Sequence, residues 1–294
     1  MGRKGMVDRG YSAVPVADLF SEPMEEERLR ITQVLYHEPL VLLEEKAGFV
    51  LVEAEEQLSV QGGIWRGYVG WIKASHIAEG AAGRPNGLLE EGLWVVSERG
   101  VPILPLPLGA KVRIVGEEGA FLRIALLDGR YGLLRRDGVR MVERKEEREG
   151  LLRKARGFLG VPYLWGGRSV PIKGWQGTRT GLDCSGFVNL LFRVCGLSIP
   201  RDANDQYLSS RKISLKELRP GDLLFLWDER LERVAHVVLY VGEGLAMEAR
   251  GEGRVVEEVP LRERFGSSLE DIEEKDFLAF GRKVSAGRLI EDEG

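Results

Sequence analysis

The twelve residues from Gly181 to Phe192, GLDCSGFVNLLF, constrain this chain more than any other stretch. An acid and a small hydroxyl residue flank Cys184. Gly186 follows, and Phe187, Leu190, Leu191 and Val194 then recur at helical spacing. The spacing predicts a helix whose first turn carries Cys184, with Asp183 at the N-cap and Gly196 as the stop. Unpaired N–H groups and the positive end of the helix dipole favour a thiolate at such a position, which makes Cys184 a candidate nucleophile. A lone cysteine on an amphipathic helix is more often a small buried apolar residue. Cys195, inside RVCGL, fits that description; Cys184, between Asp183 and Ser185 at a helix mouth, does not. Two cysteines in all supply neither a thiolate metal cage nor a disulfide framework.

A length of 294 residues accommodates two or three compact units. With 44% hydrophobic and 30% charged residues, the chain has the composition of a soluble globular protein. The acids and bases are interspersed and the net charge is −4, which points away from nucleic acid and from anionic membranes as partners. There is no apolar stretch of signal-peptide length at the N-terminus and none of transmembrane length elsewhere. As written, the chain reads as cytoplasmic; with a trimmed signal peptide it would be secreted or wall-associated.

Two N-terminal stretches resemble each other. Short β-rich runs fill residues 29–77 and again 93–141, and Gly67-Tyr68-Val69-Gly70-Trp71-Ile72 answers Gly129-Arg130-Tyr131-Gly132-Leu133-Leu134. Strands of four to six residues broken by Gly and Pro predict small β-barrels, each near the lower size limit for an independent core. The run VPILPLP reads as a loop crossing into the next barrel strand rather than as a polyproline ligand. From Lys145 a charged run leads into Leu151, Leu152, Ala155 and Leu159, a helix docked by one face and stopped at Gly160 and Pro162. The Gly-rich interval from Gly166 to Gly181 reads as a loop leading to the Cys184 helix. LLFLW, VAHVVLYVG, LAMEARG and RVVEEVPL then read as a strand meander. Helices followed by an antiparallel sheet make an α+β domain.

A thiolate nucleophile needs a proton partner, usually a histidine that a third group orients. The chain has three histidines. His37 and His76 fall in the first barrel region, whereas His236 opens the strand HVVLYVG in the territory of Cys184. Glu248 lies twelve residues further on, beyond the turn Gly242-Glu243-Gly244. A tight hairpin would bring it across from the start of the His236 strand, where a carboxylate can set the imidazole tautomer and stabilise the imidazolium. Glu248 also lies in a Glu-rich stretch, where a solvent-facing side chain is the alternative.

These residues resemble the NlpC-type, papain-like cell-wall cysteine peptidases that carry N-terminal bacterial SH3-like domains. The resemblance runs through VPVADLFSEP, TQVLYHEP, PYLWGG at Pro162–Gly167, LDCSGFV, PRDANDQ at Pro200–Gln206, PGDLLF at Pro220–Phe225 and HVVLYVG. It implies a papain-like catalytic domain over 144–294, SH3-like barrels over 28–82 and 83–143, and an N-terminal extension over 1–27 packing on the barrels. By layout the chain is similar to γ-D-glutamyl-L-diamino acid endopeptidases that trim murein peptides with a free N-terminal L-Ala.

Carried over, the resemblance implies Cys184 as nucleophile, His236 as base and Glu248 in the third polar place. That place is commonly a His followed by Ala, so Glu248 before Ala249 is a departure. The longer loop between Trp165 and Cys184 is a second departure. The resemblance further implies Tyr163, Asp183, Ser185, Arg201 and Asp202 as contacts to γ-D-Glu. It places Glu38 and Tyr68 on the free amine, where a carboxylate pairs with the ammonium and a phenol caps it. No metal or organic cofactor enters the implied reaction, and the expected partner is a murein-derived peptide. An amidase or acyltransferase on the same scaffold would keep Cys184 and His236 without needing Glu38 or Tyr68. A non-catalytic wall-binding protein would depend on the barrels and tolerate loss of Cys184.

Overall fold

The computed structural model describes residues 8–79, 83–142, 145–274, 278–279 and 282–290. The expected domain limits at 82 and at 143–144, and the first seven residues of the expected extension, lie outside the described residues. By contact density the chain divides into two units, Met1–Arg144 with Gly166–Thr180, and Lys145–Trp165 with Gly181–Gly294. The interval read from sequence as a loop of the Cys184 domain therefore clusters with the N-terminal unit.

The N-terminal unit contains two seven-stranded antiparallel sheets. The first comprises β1 (Arg9–Ser12), β2 (Val16–Phe20), β3 (Arg30–Leu35), β4 (Pro39–Lys46), β5 (Phe49–Gln61), β6 (Ile64–Lys73) and β7 (Ile77–Glu79). The second comprises β8 (Gly87–Leu89), β9 (Leu93–Val96), β10 (Pro102–Leu106), β11 (Lys111–Glu118), β12 (Phe121–Ala125), β13 (Tyr131–Arg135) and β14 (Val139–Met141). Their orders are β3-β2-β6-β5-β4-β1-β7 and β10-β9-β13-β12-β11-β8-β14. Counted from the first strand of each, the two orders are identical, so the sequence repeat is a repeat of topology.

Two details depart from the sequence reading. β1 and β2 are integral to the first sheet, pairing with β4, β7, β3 and β6, although they fall in the stretch read as an extension. VPILPLP is not a connecting loop: Pro102–Leu106 forms the terminal strand of the second sheet, with a register shift between Pro102 and Leu104. A sheet edge is where proline is tolerated, because the missing N–H costs no ladder bond there.

The two sheets pack on each other through Tyr36. Its ring is buried in the core of the second sheet, and its hydroxyl accepts from the Leu127 N–H at 2.8 Å. Lys111 and Glu56 add an ion pair at 2.5 Å. The segment 166–180 joins this unit through Arg168 and Ser169, which bond Gln33, and through Lys173, whose carbonyl accepts from Trp94 Nε1 at 3.0 Å.

The second unit is α+β. It opens with α1 (Arg148–Ala155), which buries Gly150, Leu151 and Ala155. Leu159 lies beyond the helix and is 46% exposed, so the docked face is one turn shorter than its apolar spacing suggested. α2 (Cys184–Val194) buries nine of its eleven residues, the all-round apolar character of a central helix. α3 (Ala203–Ser209) follows. An antiparallel sheet then runs through β15 (Arg211–Ile213), β16 (Leu223–Asp228), β17 (Arg233–Gly242), β18 (Leu245–Ala249) and β19 (Val256–Pro260). Two short helices, α4 (Leu261–Phe265) and α5 (Leu269–Glu274), precede a last long strand, β20 (Arg282–Arg288).

The meander β16 to β19 matches the sequence reading, but β20 inserts between β15 and β16, which periodicity did not anticipate. Val237, Val238 and Leu239 are all fully buried, because α2 contacts β17 while Leu261, Phe265 and Ile272 of α4 and α5 share a core with Val238. A strand covered on both faces shows a continuous apolar run instead of alternation.

Candidate active site

Cys184 opens α2, and Asp183 is its N-cap, as the sequence predicts. The Asp183 carboxylate accepts from the Gly186 N–H at 2.6 Å, and its carbonyl accepts from that of Phe187 at 2.9 Å. The N–H groups of Cys184 and Ser185, at the first two helical positions, have no intrahelical acceptor by construction. Arg201 fixes the cap. Its guanidinium donates to both oxygens of Asp183, at 3.0 and 2.7 Å, and to Ser185 Oγ at 2.9 Å. Arg201, Asp183 and Ser185 are all buried, so these expected substrate contacts form a closed network under Cys184. Asp202 is the more open neighbour, with its side chain 43% exposed. Gln206 adds a brace, donating to the carbonyls of Ser185 and Pro200.

His236 sits on β17 as the strand's fourth residue, opposite Leu226. The ladder shifts register there, since Trp227 pairs with Val234 and Ala235 is left over. A bulge beside a site re-aims the side chain next to it. The hairpin to β18 turns through Glu243 and Gly244, whose φ values of 53° and 71° are those of a type I′ turn. Leu239 then pairs with Met247. Glu248 is therefore not directly across from His236 but diagonal to it, a span a glutamate can bridge. Glu248 Oε2 lies 2.5 Å from His236 Nε2, and Oε1 accepts from Arg264 Nε at 2.5 Å.

The electrostatics follow from these contacts. Burial alone would lower the pKa of His236. The negative charge of Cys184 as a thiolate and hydrogen bonds to Cys184 and Glu248 outweigh it and raise the value to about 9. Burial likewise works against ionised Glu248, and His236 and Arg264 together hold it below the ordinary carboxylate value. Since Nε2 is occupied by Glu248, Nδ1 is the ring nitrogen left for Cys184. Tyr163 is half-buried; burial, then the charges of Asp183 and Cys184, raise its phenol above the usual value and keep it a hydrogen-bond donor. A cavity of about 400 Å³ opens beside His236, lined in part by Trp227, Asp228, Ala235 and Arg282. His37, by contrast, is buried in the N-terminal unit edge-on to Tyr11, and burial lowers its pKa to about 4. Burial also lowers that of His76.

Glu38 and Tyr68 belong to the first sheet, and they are not alike. Tyr68 is half-buried against that sheet's core. Glu38 has no exposed surface: Arg168 Nη1 donates to its Oε1 at 2.8 Å, and Gln57 Nε2 to its Oε2 at 3.1 Å. Glu38, expected from the resemblance at the free amine, is thus an interior residue, because an Arg from the Gly-rich segment neutralises it there. Arg168 and Arg264 were both missed from sequence. For Arg264 a local signal existed, since Leu261 and Phe265 stand four apart before Gly266, whose φ of 66° ends α4.

An imidazolium beside a cysteine suits acyl transfer through a thioester. Comparison with known proteins agrees, and the protein is a hydrolase of the cysteine-peptidase class. Residues 160–268 match the model of the NlpC/P60 family, and the chain carries an NlpC/P60 domain. It is 29% identical over 258 residues to a gamma-D-glutamyl-L-lysine dipeptidyl-peptidase of Bacillus subtilis (strain 168), covering 86% of this chain and 81% of that one. It is 41% identical over 118 residues to the peptidoglycan endopeptidase RipB of Mycobacterium tuberculosis, covering 39% of this chain and 48% of the relative. An NlpC/P60 family protein from Bacillus cereus ATCC 10987, solved by crystallography, superposes with a TM-score of 0.78 at 21% identity, covering 95% and 99% of the two chains. Among the described residues, no helix is long and apolar enough to cross a membrane.

Proposed function

We propose that the protein hydrolyses the γ-D-glutamyl-L-diamino acid bond of murein peptides bearing a free N-terminal L-Ala, in cell-wall peptide recycling. The observation that carries the chemistry is the contact of His236 with both Cys184 and the buried Glu248. The substrate class rests on the dipeptidyl-peptidase likeness over most of the chain.

The Cys184 thiolate attacks the γ-carbonyl carbon of D-Glu, and the N–H groups at the start of α2 are placed to meet the developing oxyanion. The tetrahedral intermediate collapses as His236 delivers its proton to the leaving amine, which breaks the C–N bond and leaves a thioester. Neutral His236 then takes a proton from water, the hydroxide attacks the thioester, and the thiolate returns. Glu248 holds Nε2 throughout, leaving Nδ1 aimed at sulfur. The cavity beside His236 has room for the departing diamino acid. Tyr163 and Asp202 are the more accessible members of the γ-D-Glu set, whereas Asp183, Ser185 and Arg201 shape it from beneath.

The two N-terminal sheets are read as SH3-like modules, with Tyr68 and Glu38 recognising the free amine. For Glu38 this requires its contact with the neutral Gln57, the longer of the two, to yield to an ammonium. The test compares L-Ala-γ-D-Glu-L-Lys, its diaminopimelate analogue and their N-acetylated forms, with products read by mass spectrometry. Cleavage confined to free-amine peptides supports the reading. Equal cleavage of the acetylated forms removes the amine requirement, and cleavage of none points to a different substrate.

A further inference from the structure

The geometry points to Arg264 as a positioning residue for the base, one that keeps Glu248 ionised and correctly turned while His236 passes through its neutral form. This rests on the reading of Cys184, His236 and Glu248 as the catalytic set. Glu248 has no solvent exposure, and its two oxygens have different partners, His236 on one and Arg264 on the other, each at 2.5 Å.

The two partners differ in one respect that matters for turnover. His236 is a cation only part of the time, because it must give its proton to the leaving amine. At that moment a carboxylate facing His236 alone would be a buried charge with no counter-ion, an arrangement with a large desolvation penalty. The guanidinium of Arg264 takes no part in the proton transfer, and through its bond to Oε1 it continues to neutralise Glu248. It also fixes the carboxylate at both ends, which a longer, more rotatable glutamate needs more than a shorter third residue would. α4 supports this placement: Leu261 and Phe265 are buried in the core on either side of Arg264, whose side chain is 15% exposed.

A positive charge on the far oxygen also weakens the pull of Glu248 on the imidazolium. Removing it raises the pH at which His236 loses its proton. The other charges around the pair are Cys184 on α2, Glu257 directly across from Glu248 on β19 and held by Arg254, and Asp228, Glu229, Arg230 and Arg282 around the cavity. All of these remain in place when Arg264 alone is changed.

The experiment follows His236 by NMR in the full-length protein labelled with ¹³C at histidine Cε1, which needs no substrate. Native protein, Arg264→Gln, Arg264→Lys, Glu248→Gln and the Glu248→Gln/Arg264→Gln double variant are titrated, with thermal melts to establish that each is folded. In Arg264→Gln the His236 titration is expected to move up by about one pH unit, and the basic limb of kcat/KM to move with it, while Arg264→Lys restores both. In the Glu248→Gln background, Arg264→Gln is expected to add no further shift. A folded Arg264→Gln protein with a native titration overturns the proposal, as does an equal shift in the double variant. If Glu248→Gln itself leaves the titration unmoved, it is the catalytic reading that fails.

Discussion

Arg201 and Asp183 form a two-pronged buried ion pair, with bonds of 3.0 and 2.7 Å, one residue before Cys184. The same carboxylate caps α2 through Gly186, so one side chain sets both where the helix starts and what charge lies beneath it. Its two roles separate by substitution. Asp183→Asn keeps a cap acceptor but removes the charge, whereas Asp183→Ala removes both. The alanine variant is expected to lose about 1 kcal/mol more for the cap, on top of roughly 3 kcal/mol for stranding Arg201. Urea unfolding of the two variants measures the difference.

Replacement of Cys184 by Ala is expected to abolish turnover, with a loss on the order of 10⁵-fold or more, because no other group can carry the covalent route. Cys184 is partly exposed, and its side chain caps nothing. The variant should therefore stay folded, losing only the part of the His236 contribution that Cys184 supplies. Product formation followed by mass spectrometry, with a thermal melt alongside, tests both halves.

Two histidines should make opposite contributions to the pH dependence of stability. The pKa of His236 is raised to about 9, so its contribution is complete below about 6.5 and is lost as pH rises through 9. That of His37 is lowered to about 4, so its burial weakens the fold as pH falls from 6.5 towards 4. Melting curves across pH 4–10 should lose the alkaline slope in His236→Gln and the acid slope in His37→Phe.

Glu38 and Arg168 are each only 1% exposed at the side chain. Glu38→Gln leaves the guanidinium buried without its counter-charge and is expected to destabilise the N-terminal unit by about 3 kcal/mol. The apolar double replacement Glu38→Leu/Arg168→Met should recover most of that loss, since neither charge is then stranded. Denaturant midpoints of the single and double variants decide it. The same single variant, assayed on free-amine and acetylated peptides, reports whether Glu38 also governs selectivity.

Much of the site was legible in the chain because its elements are local. The apolar period after Cys184 and the acid before it specify α2 and its cap, and the order of Gly-broken strands specifies the meander that bears His236 and Glu248. The N-terminal repeat was readable for the same reason, since each strand and turn is encoded within a few residues. Even His236, the proposed base, could be singled out by elimination among three histidines.

What the sequence alone could not supply were partnerships between residues far apart in the chain. Arg168 meets Glu38 across 130 positions and neutralises a carboxylate whose burial no local pattern announced. Arg264 reaches back 16 positions to the second oxygen of Glu248, and β20 slips between two strands that precede it. Hydrophobic period records which face of an element is buried, but it carries no label for the counter-charge that burial demands. The sequence by itself determined the Cys184 helix, the repeated sheets and the strand of His236. Only the tertiary structure decided which cation lies against each buried acid, because that choice is made by desolvation once the elements have packed.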